Sequence, residues 1–328
     1  MSSSVVLGLD FGGTKIAAAV GDADGTLLGT TVIAAAAELG AQANLTGAVN
    51  AGRTLLDRVA GGRRIAAVGV STFGIPRADG VALAPAIDGW ADLAIGRELS
   101  RAFDGVPVRV ATDVKAAARV EAERGSLAGC DPAIYLNLGT GLAVAIVAGG
   151  RVLAGRNGAS GEIGYNLRGL GDVGSGLADR IPLEEVVSGG ALDSAARQAA
   201  PEVDGAAAVF AGAADHPALG RLLDDFLAEL AFHLVNLTIA VDPQRIAVGG
   251  GMVRSWDVIG PRLRAALDAA VPFPPELVPA AFPYDAPLIG ALALGVEAAH
   301  ERLAGVPGTP TPTPTPTTPA PVKKGLRA

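Results

Sequence analysis

Cysteine is all but missing from this chain: Cys130 stands alone among 328 residues, which excludes an internal disulfide. A solitary thiol of this kind reads as a small buried residue of a cytosolic protein. Aromatic residues are scarce at 4%, so the core has to be built from Ala, Val and Leu, as suits strands buried between helices. Long apolar runs are lacking too. The longest candidates are cut by glycines and by Asp242-Pro243-Gln244-Arg245, so no membrane partner is expected. Basic charge is in deficit, with 26 Lys and Arg against 33 Asp and Glu, and the net −7 argues against a nucleic-acid-binding surface. The opening MSSSVVLGLD has neither the basic start nor the cleavage site of a secretion signal, so a cytoplasmic location is expected.

What the chain does have is glycine at informative places. Val5 to Val20, VVLGLDFGGTKIAAAV, reads as a buried strand closed by Asp10, a turn through Phe11-Gly12-Gly13-Thr14-Lys15, and a second apolar strand. This layout suits a magnesium phosphate group. Gly12 and Gly13 let backbone N–H groups approach an anion closely. Thr14 adds a hydroxyl, Lys15 a cation, and Asp10 a carboxylate able to reach the metal or its water. The pattern is not the GxxxxGK[ST] loop, which leads into a helix. A plain two-glycine hairpin turn is the other reading of the same residues.

The shape returns from Ile134, in IYLNLGTGLAVAIVAGGRVLAG. After the first copy the pattern predicts helix 42–60, strand 65–71, helix 92–103, strand 107–112 and helix 114–125. After the second it predicts helical segments from 183 to 241, strand 245–249, helix 255–270, strand 276–281 and helix 287–303. A repeat longer than a hundred residues is no solenoid. It implies two related α/β halves, each with a mixed sheet, joined around a cleft, and 328 residues give room for two such domains. From Gly308 the chain alternates Pro and Thr and ends basic, a composition that predicts an extended, solvated tail.

Several motifs in order, LGLDFGGTK, TDVKAAA at 112–118, LNLGTG at 136–141, GASGEIGY at 158–165 and VGGGM at 248–252, resemble the ROK family (repressors, open reading frames, kinases) of the actin-like ATPase superfamily of sugar kinases. The resemblance runs from Val5 to about Leu303. It implies a two-lobed actin-like ATPase (ribonuclease H-like) fold with duplicated βββαβαβα halves. Residues 1–115 with 287–305 would make the smaller lobe, 116–286 the larger, and 306–328 the tail. It also implies ATP and Mg²⁺, a sugar acceptor and a homodimer. Asp10 to Lys15 and Gly139-Thr140-Gly141 would be the phosphate loops, and Gly249-Gly250-Gly251 would lie near the adenosine.

By the same resemblance Asp113 is the base that takes the proton from the attacking hydroxyl, a role in which orientation matters more than strong basicity. Read alone, Thr112 or Asp113 could simply cap the helix that follows. Glu162 falls where the family's Glu reads sugar hydroxyls; an exposed loop glutamate is the alternative. Glu184 falls on a second sugar-binding Glu, but Pro182 looks like the first residue of a helix, where acids ordinarily favour the dipole.

The departures cluster around the sugar. Thr112 and Lys115 stand where asparagines are usual, Ala86 replaces another asparagine, and Arg77, expected as a solvated loop charge, replaces a glycine. Tyr165 stands where the family has a zinc-binding His, and the segment GDVGSGLADRIPLE lacks the family's cysteines. His216, His233 and His300 lie elsewhere, in helical segments, so no zinc site is expected. The loop carrying Glu162 then has to be ordered by packing or by substrate, or stay mobile. The expected activity is ATP-dependent phosphorylation of a primary hydroxyl on a hexose-like acceptor, with glucose as the default. The lost polar readers favour an aminosugar or C7 cyclitol as the alternative. A non-catalytic sugar sensor is the rival from another class. The first strand begins within five residues of the start, so the helix-turn-helix of family repressors is not expected, and retention of Asp113 argues for chemistry.

Overall fold

The computed structural model describes residues 4–84, 86–200 and 205–305; the Pro/Thr-rich tail lies outside them. The first half opens with an antiparallel meander, β1 (Ser4–Phe11), β2 (Lys15–Asp22) and β3 (Leu27–Ala34). Then come α1 (Gly40–Val59), β4 (Arg64–Thr72), a small hairpin of β5 (Ile75–Pro76) and β6 (Val81–Ala82), α2 (Ile95–Ala102), β7 (Val108–Thr112) and α3 (Asp113–Arg124). The second half repeats the plan with β8 (Ala133–Leu138), β9 (Leu142–Ala148) and β10 (Arg151–Val152). It continues through α4 (Gly189–Ala199), α5 (Ala206–Gly212), α6 (Pro217–Val241), β11 (Arg245–Gly249), α7 (Trp256–Ala270), β12 (Glu276–Pro279) and α8 (Ala286–Leu303).

The sheet orders are β3-β2-β1-β4-β7 and β10-β9-β8-β11-β12. Counted within each half both read 3-2-1-4-5, with the last three strands parallel, so the repeat in sequence is a repeat in topology. The helical segments expected over 183–241 are a 3-10 turn, α4, α5 and α6. Pro182 precedes a 3-10 turn at Leu183–Glu185 and is not the first residue of an α-helix; α4 starts after Ser188, which caps it by accepting from Ala191 N. Strand β12 stops at Pro279, which has no N–H to extend a ladder. Cys130 is half-buried rather than buried, with Sγ 3.9 Å from the Ala128 carbonyl. Among the described residues no helix is long and apolar enough to cross a membrane.

One core packs α1 and α2 on the first sheet through Leu7, Leu9, Val70, Leu55 and Leu99. A second packs α4 to α7 on the other sheet through Leu136, Val144, Leu223, Leu230 and Leu263. Two helices fill the space between the sheets. α3 lies on the second sheet, with Val114, Ala117 and Ala118 against Tyr135, Ala145 and Ala247. α8 lies on the first at backbone contact, because a Cβ on Gly69 would stand 1.8 Å from the Ala291 carbonyl oxygen and one on Gly8 2.7 Å from Leu292 N. Where the two helices meet, a Cβ on Gly290 would lie 2.0 Å from the Ala116 carbonyl oxygen. Glu121, buried on α3, accepts from Phe282 N at 2.7 Å, Ala281 N at 3.2 Å and Ser126 N at 2.7 Å, and so pins the chain that leads into α8.

Gly290→Ala tests this crossing. Alanine's helix propensity favours the variant by ~1 kcal/mol, whereas overpacking against backbone costs roughly 1–3 kcal/mol or more. The expected result is a net loss of stability in denaturant unfolding, with the exposed Gly169→Ala neutral; a neutral or stabilised Gly290→Ala would show that the crossing is loose.

Candidate active site

The parallel register of β1 with β4 sets Asp10 beside Ser71, whose Oγ donates to Asp10 Oδ1 at 2.7 Å. Burial lifts the Asp10 carboxyl to about 6, helped by the charges of Asp113 and Asp285 and opposed by the Ser71 hydrogen bond and Lys15. Asp10 at the end of β1, Asp113 at the start of α3 and Asp285 at the start of α8 therefore share one electrostatic site. Beyond Asp10 the turn closes with Gly12 N donating to the Lys15 carbonyl at 2.9 Å, and Gly13, Thr14 and Lys15 face solvent. Neither Gly12 nor Gly13 has a positive φ. What glycine provides there is space, since a Cβ on Gly13 would meet nothing within 4 Å.

A second glycine cradle is built in the other half. Gly139 N donates to the Gly141 carbonyl, while the Gly139 and Thr140 carbonyls accept from Gly189 N at 2.8 Å and Gly190 N at 3.2 Å, at the start of α4. Gly250, at φ +90°, crosses so near that a Cβ would stand 2.4 Å from the Leu138 carbonyl oxygen; a Cβ on Gly251 would stand in the open. Gly249 closes β11, and its own missing Cβ leaves room for the Tyr135 hydroxyl. Loops 139–141, 188–190 and 249–251 thus share one place.

Between the two cradles stand the remaining candidates. Thr112 caps α3, its Oγ1 accepting from Lys115 N at 3.3 Å, so capping falls to Thr112 and Asp113 is the first helical residue. Asp113 Oδ1 accepts from Val114 N at 2.8 Å. Burial raises its carboxyl above the usual range, against the Val114 hydrogen bond and the Lys115 charge. Glu162 follows Gly161, whose carbonyl accepts from Val144 N at 2.9 Å and whose missing Cβ would lie 1.9 Å from the Val144 carbonyl oxygen. That contact seats the loop on β9. Glu162 is half-buried rather than exposed, and burial, with Asp113 and Glu184 nearby, pushes its carboxyl to about 7 against the pull of Lys115. Glu184 Oε2 accepts from Leu142 N at 2.8 Å, next to Gly141, so one oxygen is already engaged by backbone. Burial raises its carboxyl as well. Burial and these two glutamates push the Tyr165 phenol to about 12, which keeps it a neutral donor.

Ser71, Asp285 and the Gly189-Gly190 pair also belong to the site, although sequence reasoning did not place them there, and Lys115, noted only as a departure, joins them. The polar end of an apolar strand (VGVST) and the paired glycines of VSGG were the available signals. Arg77 is not simply solvated. Its Nε is buried and has no hydrogen-bond partner among the described residues, because the β5–β6 hairpin lies flat on the fold, with Gly80 against the Ala91 carbonyl. Ala86 is exposed.

Among the described residues no group of three or more His, Cys, Asp or Glu could hold a metal. The loop after Glu162 is tied instead by arginines. Arg180 donates to the Tyr165 and Asn166 carbonyls at 2.6 and 2.9 Å. Arg168 pairs with Glu229 of α6 through both its Nε and Nη2, and Asn166 lies 3.4 Å from His233 Nδ1. His233 is remote in sequence, yet the fold carries it to this loop.

The model of the ROK family matches residues 6–298 of the chain. The bifunctional enzyme NanE/NanK of Brucella melitensis is 32% identical over 61% of this chain, which spans only 37% of that protein. Kanosamine kinase of Amycolatopsis mediterranei is 29% identical over 92% of the chain and 99% of its own length. Among solved structures, a ROK family glucokinase from Streptomyces griseus in complex with glucose and AMPPNP is 27% identical, with a TM-score of 0.74 over 90% of this chain and 100% of that one.

Two outcomes are expected. Asp10 and Glu162 hold their protons to higher pH in the folded protein than in an unfolded chain, so the folded state binds more protons between about pH 4 and 7. Stability from these groups is therefore present at low pH and lost as pH rises through that window; buried Lys115, shifted down from 10.5, contributes the opposite slope on the alkaline side, as pH rises toward that value. Replacing Glu162 by Gln should remove on the order of 1–2 kcal/mol of the stability lost between pH 5 and 7.5, as read by denaturant unfolding; an unchanged slope would count against the assignment. Treatment with a zinc chelator should leave Tm unchanged while Arg180→Ala lowers it, and the reverse pattern would show a metal in the loop.

Proposed function

The chain belongs to the ROK family, and from that premise we propose that it is an ATP-dependent kinase acting on a primary hydroxyl of a sugar or sugar-like acceptor. The observation that carries this reading is Asp113: a carboxylate fixed at the start of α3, half-buried, and in electrostatic contact with Asp10, Lys115, Glu162 and Glu184. In this proposal Asp113 orients the acceptor hydroxyl and takes its proton as the hydroxyl attacks the terminal phosphorus. Glu162 accepts hydrogen bonds from ring hydroxyls, with Glu184, Tyr165 and Thr112 lining the same pocket.

The residues present fit a magnesium nucleotide. Gly13 in the first turn and Gly251 in the second cradle leave backbone open to the nucleotide, Thr14 and Lys15 add a donor and a cation for its phosphates, and 139–141 and 249–251 complete the grip in this proposal. Asp10 would hold Mg²⁺ directly or through water. A single carboxylate suits a cation that takes most of its ligands from water and phosphates, and Mg²⁺ supplies charge neutralisation on the transferring group. Residues 1–115 with 287–305 form one lobe and 116–286 the other in this proposal, and their closure excludes water. A cytoplasmic location and a homodimer complete the proposal, the homodimer supported by exposed Leu170, Val173, Ile181, Phe232 and Ile239.

Glucose is the default acceptor; the kanosamine kinase likeness supports an aminosugar as the alternative. Coupled ADP release with Mg·ATP over glucose, mannose, N-acetylhexosamines, aminosugars and C7 cyclitols tests the reading. At least one acceptor should turn over, and Asp113→Asn should lower kcat by about 10² or more with sugar affinity changed only a few-fold. A folded protein silent on the whole panel, or an active Asp113→Asn, would overturn it.

A further inference from the structure

Lys115 occupies the first turn of α3, two residues after Asp113, at a position where the family resemblance gives asparagine. Its backbone N–H is held by Thr112 Oγ1, which fixes where the side chain leaves the helix. That side chain is 9% exposed, and its Nζ is shielded from solvent with no hydrogen-bond partner among the described residues. The carboxylate paired with it is Glu162, whose Oε1 lies 3.9 Å away, outside hydrogen-bond reach. An ammonium has three donors and no acceptor, and leaving donors unmet in a buried place is costly. Burial pushes the group toward its neutral form, while Glu162 and Asp113 hold the charge on it. Asparagine in the same place would offer both a donor and an acceptor; lysine offers donors and positive charge alone.

A ring bound between Asp113 and Glu162 therefore meets an unsatisfied cation on one side. We infer that Lys115 is a specificity-determining residue, which donates to an uncharged oxygen of the acceptor (a hydroxyl or a carbonyl) and rejects an acceptor that carries a protonated amine at the position it faces. The inference rests on the sugar-kinase reading above and narrows it: of the aminosugars, only those with the amine elsewhere on the ring or masked by acylation are accommodated. The penalty is electrostatic as well as geometric. Two cations brought together in a partly buried site repel strongly, and the Nζ donors lose the oxygen they were to bind.

Sugar affinities measured by calorimetry without nucleotide decide this, using glucose and its 2-, 3- and 4-amino-deoxy analogues. One analogue should bind the wild type at least roughly tenfold more weakly than glucose. K115N and K115M should each shrink that gap about tenfold, chiefly for that one analogue, with K115M also weakening glucose. E162Q should move amine-bearing sugars the opposite way. Equal gaps in wild type and both variants, or gains spread evenly over all three amines, would overturn the inference. ADP release is read separately. Lys115-dependent discrimination without turnover would sink the kinase reading and keep this one; turnover without discrimination would do the reverse; no sugar binding at all would overturn both.

Discussion

The contact on which the rest depends is the crossing of α3 and α8 at Gly290. A backbone carbonyl of one helix occupies the space a side chain of the other would need, so the two axes have no freedom to separate or slide without opening a void. Asp113 begins α3 three residues before the contact at Ala116, and Asp285 stands five residues before Gly290. Both carboxylates are therefore within about a turn of the same fixed point. α8 is set equally tightly on β1 and β4 through Gly8 and Gly69, and Asp10 and Ser71 are the penultimate residues of those strands. The position of three acids from three distant parts of the chain thus follows from small residues at helix and strand contacts. Glu121 adds a second clamp from α3 to the 281–282 backbone, so the approach to α8 is held as firmly as the helix itself.

Within that frame the cleft stores unfavourable charge. Asp10, Asp113, Glu162 and Glu184 are each pushed toward their protonated forms, in every case chiefly by burial. Once ionised, such a group costs the fold stability, and apolar or amide side chains would cost less. Carboxylates kept in this state are ready to accept cations or protons, and the proposed chemistry offers both, a divalent metal at Asp10 and a hydroxyl proton at Asp113. Lys15 and Lys115 offset part of the charge from opposite ends of the cleft. Only Lys115 is enclosed, which is why it, and not Lys15, can discriminate among ligands.

The architecture was largely legible because it depends on period and repetition. Strand–turn–strand patterns, glycine turns and helical periodicity appear twice in the same order, and the two sheets carry the same 3-2-1-4-5 arrangement. The membership of the site was legible only in part. Residues next to a glycine motif, such as Asp10 or Glu162, announce themselves. Ser71 and Asp285 do not, since their place beside Asp10 is set by a parallel register and a helix crossing between segments some sixty and more residues apart. Lys115 was visible as a departure, but whether it points into water or protein is a matter of packing. The helical segments expected over 183–241 were legible as helix but not in their boundaries, which Ser188, Gly205 and Pro217 set by starting each helix anew.

The loop that carries Glu162 poses the same structural problem that zinc solves in the family pattern, with different ligands. Gly161 seats its entry on β9, and Arg180 reaches back from the far end of the same loop to two successive carbonyls. Arg168 joins the loop to α6 through a bidentate pair with Glu229. Charge-assisted hydrogen bonds of this geometry are directional enough to fix a turn, and guanidinium suits two adjacent carbonyls because its donors diverge within one plane. They differ from a metal in one respect that bears on the site. A tetrahedral metal centre holds its ligands with little tolerance, whereas Arg168 and Glu229 are partly exposed and their attraction weakens with salt. Glu162 is thus set by a support that is firm at its β9 end and adjustable at the Arg168 end, and its carboxylate lies between the two in sequence.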